Sequence, residues 1–295
     1  MGSMPSVQEP SDIDVRPRNV EFDLSRTSLH WIPGEPVASD VLSALHIIVP
    51  EGERWFCRAF TEALPHVKDE KLARDMRGFI GQEAIHADTH DRAVSEFLEE
   101  HGVDTGPFLR QVEFLFRRML APRKRKSARL RRNDLIERLW LIAAIEHYTA
   151  VLGDFALNSN WTAYGADPAM TDLMRWHGAE EMEHRSVAHD VATYFDDSYL
   201  HRCRAMLGVA VGLFVIVMRG AYFILREDPH INHGLLRIWR EALSAMLRGL
   251  LPNVGFMLTT TLSYFRPGFR PEEVGSTAQA VAYLAASAGV RNAGL

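Results

Sequence analysis

The sequence predicts an all-α fold, and three observations carry that prediction. No stretch sustains the period-two alternation of a half-buried strand. No glycine-rich loop follows a strand-like run, which sets aside Rossmann and P-loop chemistry. Pro, Gly and Asp gather between long helix-forming segments, where they punctuate rather than interrupt.

Met1-Gly2-Ser3-Met4 reads as an expression scar before a native Met4. Residues 5–18 are polar and proline-rich, with no basic run leading into an apolar one, so no secretory signal is read and the cytoplasm is the expected location. A flexible or extended arm is expected over residues 1–37, carrying Trp31-Ile32-Pro33-Gly34. Helices are expected at about 38–48, 51–65, 69–100, 107–120, 132–160, 168–195, 198–226, 230–263 and 271–288. Their boundaries fall at Pro50, His101-Gly102, Gly106-Pro107, Gly165 through Pro168, Asp228-Pro229 and Pro267 through Pro271. Asp167 before Pro168 is a helix start, a side-chain cap followed by a residue with no N–H to satisfy. Pro252 should kink or split the 230–263 segment. Residues 38–200 then form one bundle with a crossover at about 100–132, and residues 201–295 pack on it.

Composition excludes several functions. The chain has 295 residues, 47% hydrophobic and 24% charged, which is ordinary for a globular protein. Its net charge of −5 argues against a nucleic-acid binder. Cys57 and Cys203 are too few for a disulfide scaffold and suit a reducing compartment. The basic run Arg117 to Arg132 contains no aromatic residue to stack bases, and is read as a solvated connection that could also meet anionic lipid. Residues 205–225 are apolar except for Arg219 and are long enough to span a bilayer. Arg219 and three glycines favour a buried or interface helix, with peripheral membrane contact as the next reading.

The 13 histidines are placed rather than scattered. Glu83 and His86 are three residues apart, and His90 is seven from Glu83. Seven steps of about 100° return to within about 20° of the start, so the three share one helix stripe. Glu181 and His184 repeat the Glu-x-x-His spacing, with His177 seven before His184. A di-metal carboxylate bundle also requires one Glu from each of two further helices. Glu53 and Glu146 supply them. Glu146 follows five apolar residues, Leu141 to Ile145, where a carboxylate without a partner is costly. Glu53 and Glu83 lie 14 and 16 residues from a turn near Val67. Glu146 and Glu181 each lie 14 residues outside a turn at about 160–167, so the heights match in both hairpins.

The expected metal ligands are therefore Glu53, Glu83, His86, Glu146, Glu181 and His184, with Glu83 and Glu181 as bridges. His90 and His177 are extra ligands or groups just outside them, and Glu51 or Glu180 are alternatives to the chosen carboxylates. His147 and His189 fall off the stripes and read as structural, whereas Cys57, one turn from Glu53 on the same face, reads as a packed small hydrophobe, with a redox or site-lining role as the alternative. Tyr148 and Trp176 read as core aromatics. Oxygen-rich ligation without thiolate suits two iron ions, with manganese next and zinc after it.

At these residues the chain resembles a family of bacterial proteins described as predicted metal-dependent hydrolases. The resemblance rests on Ile32-Pro33-Gly34 after Trp31, Pro50-Glu51-Gly52-Glu53-Arg54, Gly81-Gln82-Glu83 through His86 and His90, and Glu180-Glu181 through Glu183-His184. It covers about residues 20–230. More broadly the arrangement is similar to the ferritin-like di-iron superfamily, which implies a ferritin-like four-helix bundle with additional C-terminal apolar helices. His90 and His177 exceed the minimal four-Glu, two-His set of that superfamily.

Three functions follow in order of expectation. The first is an oxidase or oxygenase that uses O₂ and an electron donor on a small, lipophilic organic substrate. The second is a hydrolase that uses a metal-bridged water. The third is iron storage or metal binding. The apolar C-terminal helices could form a substrate tunnel, a homodimer surface or a membrane-facing patch.

Overall fold

The structure, a computed structural model, describes residues 13–232 and 234–293. Residues 1–4, expected to be an expression scar, and the polar stretch 5–12 lie outside the described residues. Among them the fold is all-α, with twelve α-helices and no strand. These are α1 (Pro36–Ser43), α2 (Leu45–Ala63), α3 (Glu70–Ala93), α4 (Gly106–Phe114), α5 (Ala128–Asn158), α6 (Pro168–His184), α7 (Val187–Phe195), α8 (Tyr199–Glu227), α9 (Leu235–Leu247), α10 (Val254–Tyr264), α11 (Thr277–Ala286) and α12 (Ala288–Asn292). π-helical turns extend α3 over Val94–Glu99 and α4 over Leu115–Met119.

Side-chain caps explain most helix starts. Asp69, Ser127, Asp167, Ser198 and Ser276 each accept a hydrogen bond from a backbone N–H in the first turn of the helix that follows. The cap at Ser127 lets α5 begin at Ala128, inside the basic run and earlier than expected. From Pro122 through Asn133 that run is exposed, as a solvated connection should be.

Two expected boundaries move. Pro50 does not begin a helix but lies inside α2, and the break falls instead at Ala44. Proline in that position forfeits one backbone hydrogen bond, to the carbonyl of His46. The helix continues because Pro50, Trp55 and Phe56 are all buried in the core. The 168–195 segment divides after His184. There the buried Arg185 turns back and donates from Nη1 to the carbonyl of Met182 at 2.5 Å, while its Nε and Nη2 reach the carbonyls of Pro271 and Glu272. Pro252 splits the 230–263 segment into α9 and α10.

The N-terminal arm is extended but not loose where it is described. Val15, Val20, Leu24, Leu29, Trp31 and Ile32 are buried. Val15 presses so closely on α3 that a Cβ at Gly78 would stand 2.1 Å from its carbonyl oxygen.

Helix α2 packs on α3 and α5 on α6, each pair joined by a short connection, while α2 also meets α5 and α3 meets α6. This helical bundle encloses the core, with α8 laid against α1 and α5, and with α11 and α12 against α6. Of the two readings of 205–225, a buried helix or an interface helix, the fully buried one is corrected. Only 28% of the most apolar window of α8 is buried, because the helix touches the bundle with one face and turns Leu207, Val211 and Phe214 outward.

Candidate metal centre

Four helices bring seven donors to one interior point. Glu53 comes from α2, Glu83 and His86 from α3, Glu146 from α5, and His177, Glu181 and His184 from α6. Their ligand atoms fall into two groups, Glu53, His86, His177 and Glu181 in one, and Glu83, Glu146, Glu181 and His184 in the other. Within each group the atoms lie within 4.8 Å of one another. In the second group His184 Nε2 stands 3.2 Å from oxygens of Glu83, Glu146 and Glu181 alike. In the first, His177 Nε2 is 2.8 Å from Glu181 and 3.3 Å from Glu53. Glu181 is the one carboxylate common to both groups. Glu83, expected as a second bridge, sits with the second group, 3.2 Å from His184 against 3.9 Å from His86. His177 occupies the other side instead.

Each imidazole has one nitrogen turned to the groups and the other held from behind. His86 pairs through Nε2 with Glu180 at 3.0 Å, leaving Nδ1 toward Glu53, Glu83 and Glu181. His184 pairs through Nδ1 with Gln82 Oε1 at 2.9 Å. Arg18, from the arm, donates to Glu180 at 2.8 Å and to Glu183 at 2.6 Å, so the arm braces the back of the site. Such outer partners fix the orientation of ligating histidines. His177 Nδ1 pairs with His90 Nε2 at 2.7 Å, and His90 Nδ1 with His46 Nδ1 at 2.7 Å. His90 is thus one step behind the donors.

Glu180 and Glu51, the alternatives to the chosen carboxylates, lie outside both groups. Glu51 is held by Arg117 through two contacts of 2.5 and 2.7 Å. Arg18, Gln82 and His46 were not singled out in the sequence. His46 was legible in principle, because it precedes Glu53 by seven residues, the same spacing that joins Glu83 to His90.

The charges are compressed. Burial, with Glu181 and Glu146 nearby, pushes the Glu53 carboxyl well above the usual range, and burial with Glu146 and Glu181 does the same to Glu83. Burial and the Glu181 charge raise Glu146 to about 7. Glu181 goes the other way. Burial opposes its charge, but the nearby His184 and the hydrogen bonds from His177 and His184 hold it well below the usual range. Burial also depresses His177, His90 and His46, the last to about 3.

Several of these atoms lack a hydrogen bond of good geometry. Both oxygens of Glu83, Oε2 of Glu53, Oε2 of Glu146 and Nδ1 of His86 are buried without a hydrogen bond. Each such atom costs about 1–3 kcal/mol. Buried acceptors converging on one point are what divalent cations require, and the residues fit metal binding on this ground. A family model described as predicted metal-dependent hydrolase matches residues 16–275, a span that runs from before Arg18 to past every donor. The chain belongs to this family. No curated protein and no solved structure matches it.

In this member of the family described as predicted metal-dependent hydrolases, a cavity is lined by Glu53, His177 and Glu181 of the first donor group. Its lining also includes His90 and the apolar Leu42, Ile48, Phe56, Phe116 and Ile145. Leu213, Ile216 and Val217 of α8 line it as well. Gly153 of α5 and Gly178 of α6 also line it, and a Cβ on Gly178 would meet the Cα of Gly153 at 2.7 Å. That close approach seats Glu146 and Glu181 on neighbouring backbones. Tyr148 lines the cavity with its hydroxyl 2.7 Å from Thr261 Oγ1, and Trp176 sets its ring edge-on to His86 at 5.0 Å. Cys57 contacts the Ile80 carbonyl, its thiol pushed up to about 11 by burial. His147 donates from Nε2 to the Thr260 carbonyl at 3.0 Å, and His189 packs on Trp140, Tyr264 and Phe269; neither reaches the centre.

Proposed function

We propose that the chain is a two-metal hydrolase acting on a substrate with an apolar body. Glu53, His86, His177 and Glu181 would hold one divalent ion and Glu83, Glu146, Glu181 and His184 the other. Bound there, two divalent ions supply an activated water and a polarised scissile bond. The observation that carries the reading is adjacency: Glu53, His177 and Glu181 of the first donor group line a cavity whose other walls are largely hydrocarbon, and Glu53 Oε2 has no hydrogen-bond partner there. The family description supports hydrolysis over the other chemistries.

The protein's own residues supply orientation and exclusion. Gln82 and Glu180 fix the rings of His184 and His86. The paired rings of His90 and His46 direct His177 Nε2 at Glu181 and Glu53. The apolar walls seat the substrate body and keep bulk water from the reacting end.

A second reading, O₂-dependent oxidation of the same class of substrate with iron in the same groups, draws on the donor set, which has four carboxylates and no thiolate. One assay separates the two. Protein loaded anaerobically with manganese, zinc or iron is offered p-nitrophenyl esters of short to long acyl chains. Hydrolysis without O₂, abolished by chelation and with KM falling as the chain lengthens, is the expected result. No turnover under argon, together with substrate-dependent O₂ uptake by the iron-loaded protein, would overturn it in favour of oxidation.

A further inference from the structure

We infer a separate divalent-cation site where the N-terminal arm, α1 and the end of α8 meet, held by His30, Asp40 and Asp228. One donor atom from each of these side chains lies within 4.8 Å of the other two. None of the three belongs to the groups around Glu181, so the inference stands independently of the proposed hydrolysis.

Asp40 makes the case. It is 0% exposed, and neither of its carboxylate oxygens has a hydrogen-bond partner. Asp228, buried at the C-terminal end of α8, turns Oδ2 to His30 Nε2 at 2.7 Å and accepts the backbone N–H of His230 on Oδ1 at 2.8 Å. Two interior carboxyl groups facing each other cannot both be charged unless something positive lies between them. A proton is one solution, and burial beside Asp228 does push the Asp40 carboxyl up to about 8. A proton shared with Asp228 satisfies one oxygen of Asp40 and leaves the other without a partner. A divalent ion can satisfy both, and it balances the two carboxylates.

Carboxylate oxygens and an imidazole are donors that a divalent ion such as zinc accepts, at about 2.0–2.2 Å. The donors are close enough to reach such an ion with small side-chain rotations. The ring centre of His230 lies 5.6 Å from that of His30. The His30 side chain is 25% exposed, which gives the ion a way in from solvent. An ion here ties residues 30, 40 and 228 together and pins the arm and α1 to the end of α8.

The test counts metal. Wild type, His30→Ala and Asp40→Asn are dialysed against Zn²⁺, then freed of loose metal and analysed for zinc per chain, and their thermal midpoints are followed through a Zn²⁺ titration. Both variants should hold about one ion per chain fewer than wild type and show a smaller zinc-dependent rise in midpoint. The same difference should persist in a Glu181→Ala background, which separates this site from the centre in the bundle. Equal zinc in wild type and His30→Ala would overturn the inference. So would Asp40→Asn with undiminished zinc and an unchanged or higher midpoint, because asparagine reproduces the hydrogen bond of a protonated Asp40. If Asp40→Asn does not fold, His30→Ala, altered on a partly exposed arm residue, decides alone.

Discussion

Helices α2, α3, α5 and α6 bury charge, whereas α8, α9 and α10 expose hydrocarbon. Glu83 is 0% exposed and Glu146 1%, while Leu236 is 77% exposed and Phe214 66%. Both regions invert the usual arrangement, but the costs are met in different places. In the bundle every buried carboxylate must find a proton, a hydrogen-bond donor or a cation within a few ångströms. On α8 to α10 the apolar stripes face away from the core, so the chain's own stability hardly depends on them. Substitutions should therefore act strongly in the first region and weakly in the second.

The largest effect is expected at Glu146. Glu146→Ala should release one metal ion per chain and lower ester hydrolysis by about a thousand-fold or more, measured by metal analysis alongside turnover. Full metal retention would remove Glu146 from the ligand set.

Acid should act next, through a buried group whose ring lies outside the two donor groups and bonds the Thr260 carbonyl. Burial lowers His147 to about 4. Below about pH 6.5 the unfolded chain takes up a proton that the folded chain refuses until about 4. Stability should thus fall as the pH drops through that window, by on the order of 3 kcal/mol from this group. Denaturant titrations should show a shallower pH slope in His147→Phe, and an unchanged slope would contradict the assignment.

Gln82→Leu removes the acceptor behind His184 and should weaken metal binding by about 10–100-fold with the fold intact. Equilibrium titration with Mn²⁺ measures it; unaltered affinity would show that Gln82 does not orient the ring. The smallest effect belongs to the outer stripe. Leu236→Ser and Trp239→Ser should each change unfolding free energy by no more than about 0.5 kcal/mol. A cost of several kcal/mol would mean that the stripe is covered.

The parts of this contrast that were legible in the sequence are those set by helix geometry alone. The three- and seven-residue spacings placed Glu83, His86, Glu181 and His184 together, and turn symmetry found Glu53 and Glu146. Contacts that depend on how distant segments meet left no local trace. Arg18 looked like one more charge in a polar arm, yet it braces Glu180 from across the molecule. The sharing of Glu181 rather than Glu83 depends on how closely α6 approaches α2 and α3, which spacing within one helix cannot reveal. Pro50 looked like a boundary because its lost hydrogen bond is local, whereas the burial that offsets it is tertiary.

The central claim is that two ions share Glu181. Its most direct test is the metal count of Glu181→Ala against wild type, after loading with Mn²⁺ and removal of loose metal, with circular dichroism confirming the fold. The account predicts the loss of about two ions per chain from this single substitution. Loss of one ion, or of none, in a folded variant would contradict it.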